Sequence, residues 1–371
     1  MTSTEQVLQR LSDIPYQKLR DSPTVKYYTD WKRFDEALKL DYTSEYVKEH
    51  PGLKFTPNIF FTVDGVEGDI PGLKVVEDGF ENVSGLYRLG WDELNKLQAY
   101  HRLRNRLIAR LELEGGEYTV LSPSPEGYLP THLVIKALKG ENTVNIVDLA
   151  LGRGLKTLFV EVDVYDNAEL DLNYLFLHQR ESPVYTELTM NVGEKSKLWF
   201  RFLGFGGYMT HVRSHVHPRG RESEGYTLGS LIARGYTKTD VITNVTHHGD
   251  YSKSTLSVRG GVLDDGYLVH RGAARILNVS HEAETSVKSY LTIFGERGAA
   301  HSIPMLEVDT GIVGGASHST SVSRLDEYRL FYLRKMGLSL NEIVDMLLRA
   351  YVEYSGVAEK FDVDWRRIIK S

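Results

Sequence analysis

The 371-residue sequence predicts a mainly β protein with helices at both ends. Three observations predict it. From about Tyr118 to Val308 the chain is a succession of short β-branched and aromatic runs, parted by glycine or polar clusters. No long helical period interrupts that series, which argues against alternating βαβ units. Both ends, by contrast, carry apolar residues at helical spacing. The expected division is a helical N-terminal region over 1–116, a β core over 117–310 and a small α-helical domain over 311–371.

In the first 50 residues Val7, Leu8 and Leu11 recur at helical spacing, and so do Trp31, Phe34, Ala37 and Leu38. Residues 51–90 are looser, with Pro51, Pro57 and Pro71. Trp91 to Leu113 reads as one amphipathic helix, with Leu94, Leu97, Leu103, Leu107, Ile108 and Leu111 on one face and Gly115-Gly116 as its stop. The β runs follow, among them Val144–Leu151, Thr157–Val164, Leu198–Phe205, Thr239–Thr246 and Tyr290–Phe294. Only Pro183, Pro218 and Pro304 occur after Pro130, so most runs can be interior strands. The residues fit either a sandwich or barrel, or a parallel β-helix whose turns bury one another's inward side chains. They show no fixed repeat that would choose between them.

The C-terminal end has the sharpest signals. Ser323-Arg324-Leu325-Asp326 reads as a helix start, and Tyr328, Phe331, Tyr332 and Lys335 continue it to an αL cap at Gly337. Ser339-Leu340-Asn341-Glu342 is a second capping box, followed by Ile343, Leu347 and Val352, with Val344, Leu348 and Tyr351 widening the apolar face. This is an αα-hairpin. Its first helix is aromatic over more than a narrow stripe, which suits either core or a surface for a partner.

Composition removes several function classes. Hydrophobic residues make up 41% and charged residues 25%, ordinary for a globular chain. A net charge of −6 offers no broad basic surface for nucleic acid. The sequence has no cysteine, so it has no disulfide, thiol nucleophile, zinc–thiolate site or iron–sulfur cluster held by its own thiolates. The opening Met1-Thr2-Ser3-Thr4-Glu5-Gln6 lacks the layout of a signal peptide, and no window reaches the ~18 apolar residues of a membrane span, so a cytoplasmic location is expected.

Histidines supply the candidate sites. His211, His215 and His217, then Glu222 and Gly229, resemble the first metal motif of cupins, in which two imidazoles and a carboxylate hold Fe, Mn or Ni. The leading glycine is replaced by Met209, and no second cupin motif follows at the expected distance. His247-His248 face opposite ways on a strand, so they read as one inward and one surface residue. His270-Arg271-Gly272 and His281 have the same plain reading. No Gly-x-Ser-x-Gly elbow or P-loop is present, and Gly204-x-Gly206-Gly207 lacks the helix a dinucleotide site requires. His318, in Gly314-Gly315-Ala316-Ser317-His318-Ser319-Thr320, is expected in a loop between the last strand, Met305–Val308, and the hairpin.

Four segments then carry a resemblance. They are Pro304-Met305-Leu306-Glu307-Val308, Ser317-His318-Ser319-Thr320, Leu325-Asp326-Glu327 and Leu330-Phe331-Tyr332-Leu333-Arg334-Lys335-Met336-Gly337. Together they resemble the closing block of the SufB/SufD family, scaffold subunits of the SUF iron–sulfur cluster assembly machinery. Asp240, His247, Ser252, Lys253, Ser254 and Arg271-Gly272 extend the similarity upstream. The resemblance implies a right-handed parallel β-helix core with a helical N-terminal region and a small C-terminal helical domain. It implies a non-catalytic scaffold that pairs with a SufB-type subunit through the β-helix and with the SufC ATPase through Tyr328, Phe331, Tyr332 and Met336. It also implies a transient cluster at the subunit interface, where His318 takes the place of the histidine supplied by the SufD side. The missing cysteine points to the SufD type. Ala316 stands where many SufD proteins have a cysteine, and Lys335-Met336 replaces the family's arginine before Gly337. Nothing in the residues indicates a flavin. The alternatives are a cupin-type mononuclear-metal enzyme using His215, His217 and Glu222, and a homodimeric scaffold that binds SufC.

Overall fold

The computed structural model describes residues 4–17, 28–68, 70–179, 181–325 and 327–370. Its centre is a parallel β-helix flattened into two facing sheets. Successive strands alternate between the sheets, so each strand pairs with those two before and two after it. Among the described residues, one sheet has nine strands, from Leu73–Val76 to Ala299–Val308. The other has ten, with Val66–Glu67 at one edge and Val313–Arg324 at the opposite edge. The β runs expected from sequence lie in these strands: Val144–Leu151 in Glu141–Ala150, Thr239–Thr246 in Lys238–His247, and Tyr290–Phe294 in Ala283–Ile293.

The register explains why no fixed repeat is visible. Lys156 lies beside Val184, Val184 beside Thr210, Thr210 beside Thr239, Thr239 beside Leu268 and Leu268 beside Ala300. The chain therefore advances 28, 26, 29, 29 and 32 residues per turn. The regularity is conformational. Asn167, Lys195, Glu222, Tyr251 and Glu282 occupy the same corner of successive turns, each with a positive φ between 52° and 61°. Their backbone N–H groups donate to the carbonyls of Glu194, Arg221, Asp250, His281 and Ile312, one turn further on. The conformation is shared while the residue type changes, so letters alone do not reveal it.

Between the sheets, inward side chains form one apolar core, including Val144, Val160, Tyr174, Phe202, Val258 and Val287. Burying each such side chain contributes roughly 1.5–3 kcal/mol. The outer face of the nine-stranded sheet is covered by the N-terminal region, with Val7, Leu11, Phe34, Leu97 and Tyr100 against Tyr128, Phe159 and Tyr185. The outer face of the ten-stranded sheet is covered from the other end of the chain, with Leu348, Val352, Val357, Phe361 and Ile368 against Leu149, Leu175, Leu203 and Ile232.

Among the described residues the α-helices are α1 (Thr4–Arg10), α2 (Lys32–Asp35), α3 (Lys96–Arg104), α4 (Glu327–Lys335), α5 (Leu340–Val352), α6 (Val357–Lys360) and α7 (Trp365–Lys370). The single helix expected over Trp91–Leu113 is not formed. α3 ends at Arg104, and Ile108–Leu113 is a strand paired with Leu73–Val76 and Tyr128–Ala137. Its Ile108, Leu111 and Leu113 are buried, and two strand partners outweigh helical propensity there. The hairpin is formed, but its first helix starts later than expected: Ser323 and Arg324, read as the helix start, belong to the strand Val313–Arg324, which stays paired with Ala283–Ile293, and α4 begins at Glu327. Ser339 caps α5 in a reciprocal box with Glu342, and Gly337 has φ 89°. Asp326, expected in the first turn of α4, lies outside the described residues.

Candidate functional site

Among the described residues, the β-helix ends without a cap. The last two strands, Ala299–Val308 and Val313–Arg324, pair on one side only. Inward residues of this final turn are stacked on buried ones of the turn before: Ala300 on Leu268, Ser302 on His270, Leu306 on Ala274, Thr320 on Ser289 and Val322 on Leu291. Among the described residues no further turn covers them, so their outer sides face solvent. Met305, Val308, Ile312, Val313 and Val322 are all exposed. Unpaired backbone along strands of 10 and 12 residues is a ready template for another chain.

His318 belongs to this mouth. It was expected in a loop, but Val313–Arg324 is a strand, because every backbone position there finds a register partner on Ala283–Ile293 apart from one shift at Ala283/Glu284. His318 pairs with Val287, an inward core residue, so its side chain points toward the space between the sheets. It is exposed, and among the described residues no further strand pairs beyond Val313–Arg324. Close by, Thr320 donates to Ser302 across the two sheets.

The second exposed feature is α4. Tyr328, Phe331, Tyr332 and Met336 are 83%, 58%, 65% and 67% exposed, and Leu340 and Met346 extend the apolar area. Lys335 sits over the Phe331 ring, and α5 anchors the hairpin through buried Ile343, Leu348 and Val352. The anchoring continues through hydroxyl contacts, Tyr351 to Thr292 at 2.7 Å and Tyr354 to Ser257 at 2.6 Å. So many bare aromatics on a helix joined to an anchored neighbour are unusual for a surface without a partner.

The cupin-like set does not assemble. His215 and His217 share a strand face, with ring centroids 3.8 Å apart. Glu222, however, is one of the αL corner residues, and its carboxylate pairs with Arg221. Among the described residues no group of three or more His, Asp or Glu side chains is arranged to hold a metal ion. His247 faces inward and contacts Ser252 and Ser254, whereas His248 is half-buried outside, as the alternation requires.

Buried polar clusters complete the inventory, and sequence reasoning missed most of them. Asp240 accepts from Thr29 and from the Arg271 guanidinium, with His211 Nδ1 3.4 Å away. The His211 ring lies between Tyr185 and Trp31, so the N-terminal segment closes the cluster. Burial works to raise the Asp240 carboxyl, but His211 and Arg271 outweigh it and hold it at about 2. Inside the β-helix, Lys156 donates to Asp148 and to the carbonyls of Ser122 and Leu149, while His178 and Tyr174 also contact Asp148. Burial again opposes the charge of Asp148, and Lys156 and His178 still hold its carboxyl well below the usual range. A third cluster runs from Thr157 through His101 and His132 to Glu161. One signal was available: Asp148 is the one charged residue in the run Val144–Leu151.

The family model described as "SUF system FeS cluster assembly, SufBD core domain" matches residues 120–351. That is more than half of the chain. The chain belongs to the SufBD family. The matched residues take in the parallel strands from the first full turn to the uncapped end, His318 and the helices α4 and most of α5. Curated relatives named as iron–sulfur cluster assembly SufBD family proteins include one of Staphylococcus saprophyticus, 23% identical over 220 residues, and one of the alga Porphyra purpurea, 20% identical over 225 residues. Each alignment covers 58% of this chain, and 47% and 46% of the respective relative. The chain thus spans about half the length of the curated relatives it matches. Among the described residues, no helix of this SufBD protein is long and apolar enough to cross a membrane.

Proposed function

We propose that this SufBD protein is a cysteine-free, SufD-type scaffold subunit of a cytoplasmic SUF complex, without catalysis of its own. Its open β-helix end docks a SufB-type subunit, and α4 docks the SufC-type ATPase. The nascent iron–sulfur cluster, the cargo of the assembly, forms between the two scaffold ends, with His318 as a ligand from this side. The observation that carries the reading is the uncapped end with an inward-pointing imidazole in its mouth. A neutral imidazole binds iron, and with no thiolate in the sequence His318 is the donor in that mouth best suited to the metal. The exposed aromatic face of α4 supports a separate docking point, since aromatic anchors typically dominate such interfaces.

Two charge substitutions test the division of labour in a co-expressed complex. Val322→Arg, at the open end, is expected to release the SufB-type subunit and keep the ATPase. Phe331→Asp, on α4, is expected to release the ATPase and keep the SufB-type subunit. Retention of both partners by both folded variants overturns the assignment. Recovery of a complex containing two copies of this chain and no SufB-type subunit makes the homodimeric scaffold the correct reading.

A further inference from the structure

Outside the proposed interfaces, His217 and His248 meet on the outer face of the nine-stranded sheet. His217 is on the strand Met209–Pro218, and His248 follows the neighbouring strand Lys238–His247. Nδ1 of His217 and Nε2 of His248 are 3.2 Å apart. We propose that these two imidazoles form a binding site for one borderline divalent transition-metal ion of the Zn²⁺, Co²⁺ and Ni²⁺ class, with water completing its coordination.

The distance fits that role. Two imidazole nitrogens each ~2.0–2.1 Å from one ion, subtending an angle between about 90° and 109°, lie roughly 2.8–3.4 Å apart. The backbone holds the pair in place. His248 N–H and Gly249 N–H both donate to the carbonyl of Pro218, directly after His217, at 2.9 and 3.1 Å. The His215 ring, stacked on His217 and fixed through Nε2 to Thr246 at 2.8 Å, restrains the His217 ring further. Sites carried by strands and locked rotamers need little ordering when the ion arrives. Both imidazoles are half-buried and therefore reachable. Arg219 is the opposing influence. Its guanidinium contacts Asn191, and its charge weakens the affinity for a dication. Two protein ligands beside one cation describe a labile site. It differs from the cupin arrangement, because the second ligand comes from the adjacent turn and not from Glu222.

The test is competition between the purified chain and a chromogenic chelator for Zn²⁺, on the parent, His217→Ala, His248→Ala and His318→Ala. Circular dichroism and melting curves verify folding. The parent and His318→Ala are expected to bind one equivalent ahead of any others and to melt at a higher temperature with Zn²⁺. His217→Ala and His248→Ala are expected to lose at least tenfold in affinity for that equivalent and to lose the Zn²⁺-dependent rise. His248 follows the strand, so its variant decides the matter should His217→Ala perturb the sheet. Unchanged affinity in His248→Ala, meaning an adventitious ion only at scattered histidines, overturns the proposal.

Discussion

Gly204→Ala tests the account of the interior most directly. Gly204 pairs with Phe176 of the preceding turn, and Gly229 pairs likewise with Phe202. Each ring fills the space left by the glycine above it. A Cβ at Gly204 would stand 1.8 Å from Cζ of Phe176, whereas ordinary contact begins near 3.4 Å. Either the ring or a strand bonded on both sides must therefore move by more than 1 Å. Phe176 is fully buried, so it has no free direction to take. Overpacking of this kind costs typically 1–3 kcal/mol, and this site belongs at about 3 kcal/mol because both neighbours are fixed. With an unfolding entropy of ~2.1 cal/mol/K per residue, a cooperative chain of this length loses about 4 °C of Tm for that cost. The measurement is thermal unfolding of the parent, Gly204→Ala, Phe176→Leu and the double variant. Phe176→Leu removes the clashing ring edge, so the double variant is expected to be more stable than the sum of the single effects implies. An unchanged Tm in Gly204→Ala, or strictly additive effects in the cycle, would refute the reasoning.

Three further outcomes are expected. His318→Ala should leave folding stability within about 0.5 kcal/mol of the parent, since it opens no cavity, while iron and sulfide content of the reconstituted complex falls; equal content would make His318 a bystander. Asp240→Asn should flatten the acid limb of stability. The Asp240 carboxyl is held at about 2 against an ordinary 3.8, so its stabilisation, roughly 2 kcal/mol, is fully present above the unfolded value and is lost as pH falls through about 2; urea midpoints from pH 5 to 2 check it, and parallel curves for parent and variant would count against it. Glu222→Asn should be neutral or slightly stabilising because asparagine tolerates αL, whereas Glu222→Val should cost about 1–2 kcal/mol; equal melting of the two variants would remove the corner role.

Strand existence was legible because local composition determines it. Runs such as Thr157–Val164 are β-branched and nearly proline-free, and they became Leu155–Val164. The choice between sandwich and β-helix was not legible from residues alone, since turns of 26 to 32 residues blur the period and the corner φ is met by Asn, Lys, Glu and Tyr alike. Trp91–Leu113 misled because Leu107 and Leu111 share a helical face and a strand face equally, and only the distant partners Leu73–Val76 and Tyr128–Ala137 decide between them. The histidines misled for a related reason. In a β-helix the neighbours of a side chain are one turn away in sequence. His217 therefore meets His248, while Glu222, five residues on, has already turned the corner. Gly204-x-Gly206-Gly207 yields to the same logic. Each glycine makes room for an adjacent turn: Phe176 for Gly204, Thr239 for Gly206 and the backbone of Gln179 for Gly207.

The inward residues of the final turn suit a surface that must be coverable yet survive uncovered. One turn earlier the interior positions hold Leu268, Val287 and Leu291, all buried; the final turn replaces them with Ala300, His318 and Val322. Each replacement is smaller or more polar, which reduces the apolar area that water meets when the end is free. The reduction is incomplete. Leu306 still packs on the core, and Val322 and Met305 remain 43% and 51% exposed. A fully polar rim would keep the end soluble but leave a partner little to bury. A continued Leu and Val interior would favour indiscriminate strand-on-strand association, the hazard of any bare sheet edge. The intermediate composition gives the proposed docking a modest apolar contribution. Register and backbone pairing along the two edge strands then provide most of its specificity. Under that arrangement the imidazole of His318 is enclosed only when the partner is in place, so the proposed cluster site and the proposed docking surface are made by the same event.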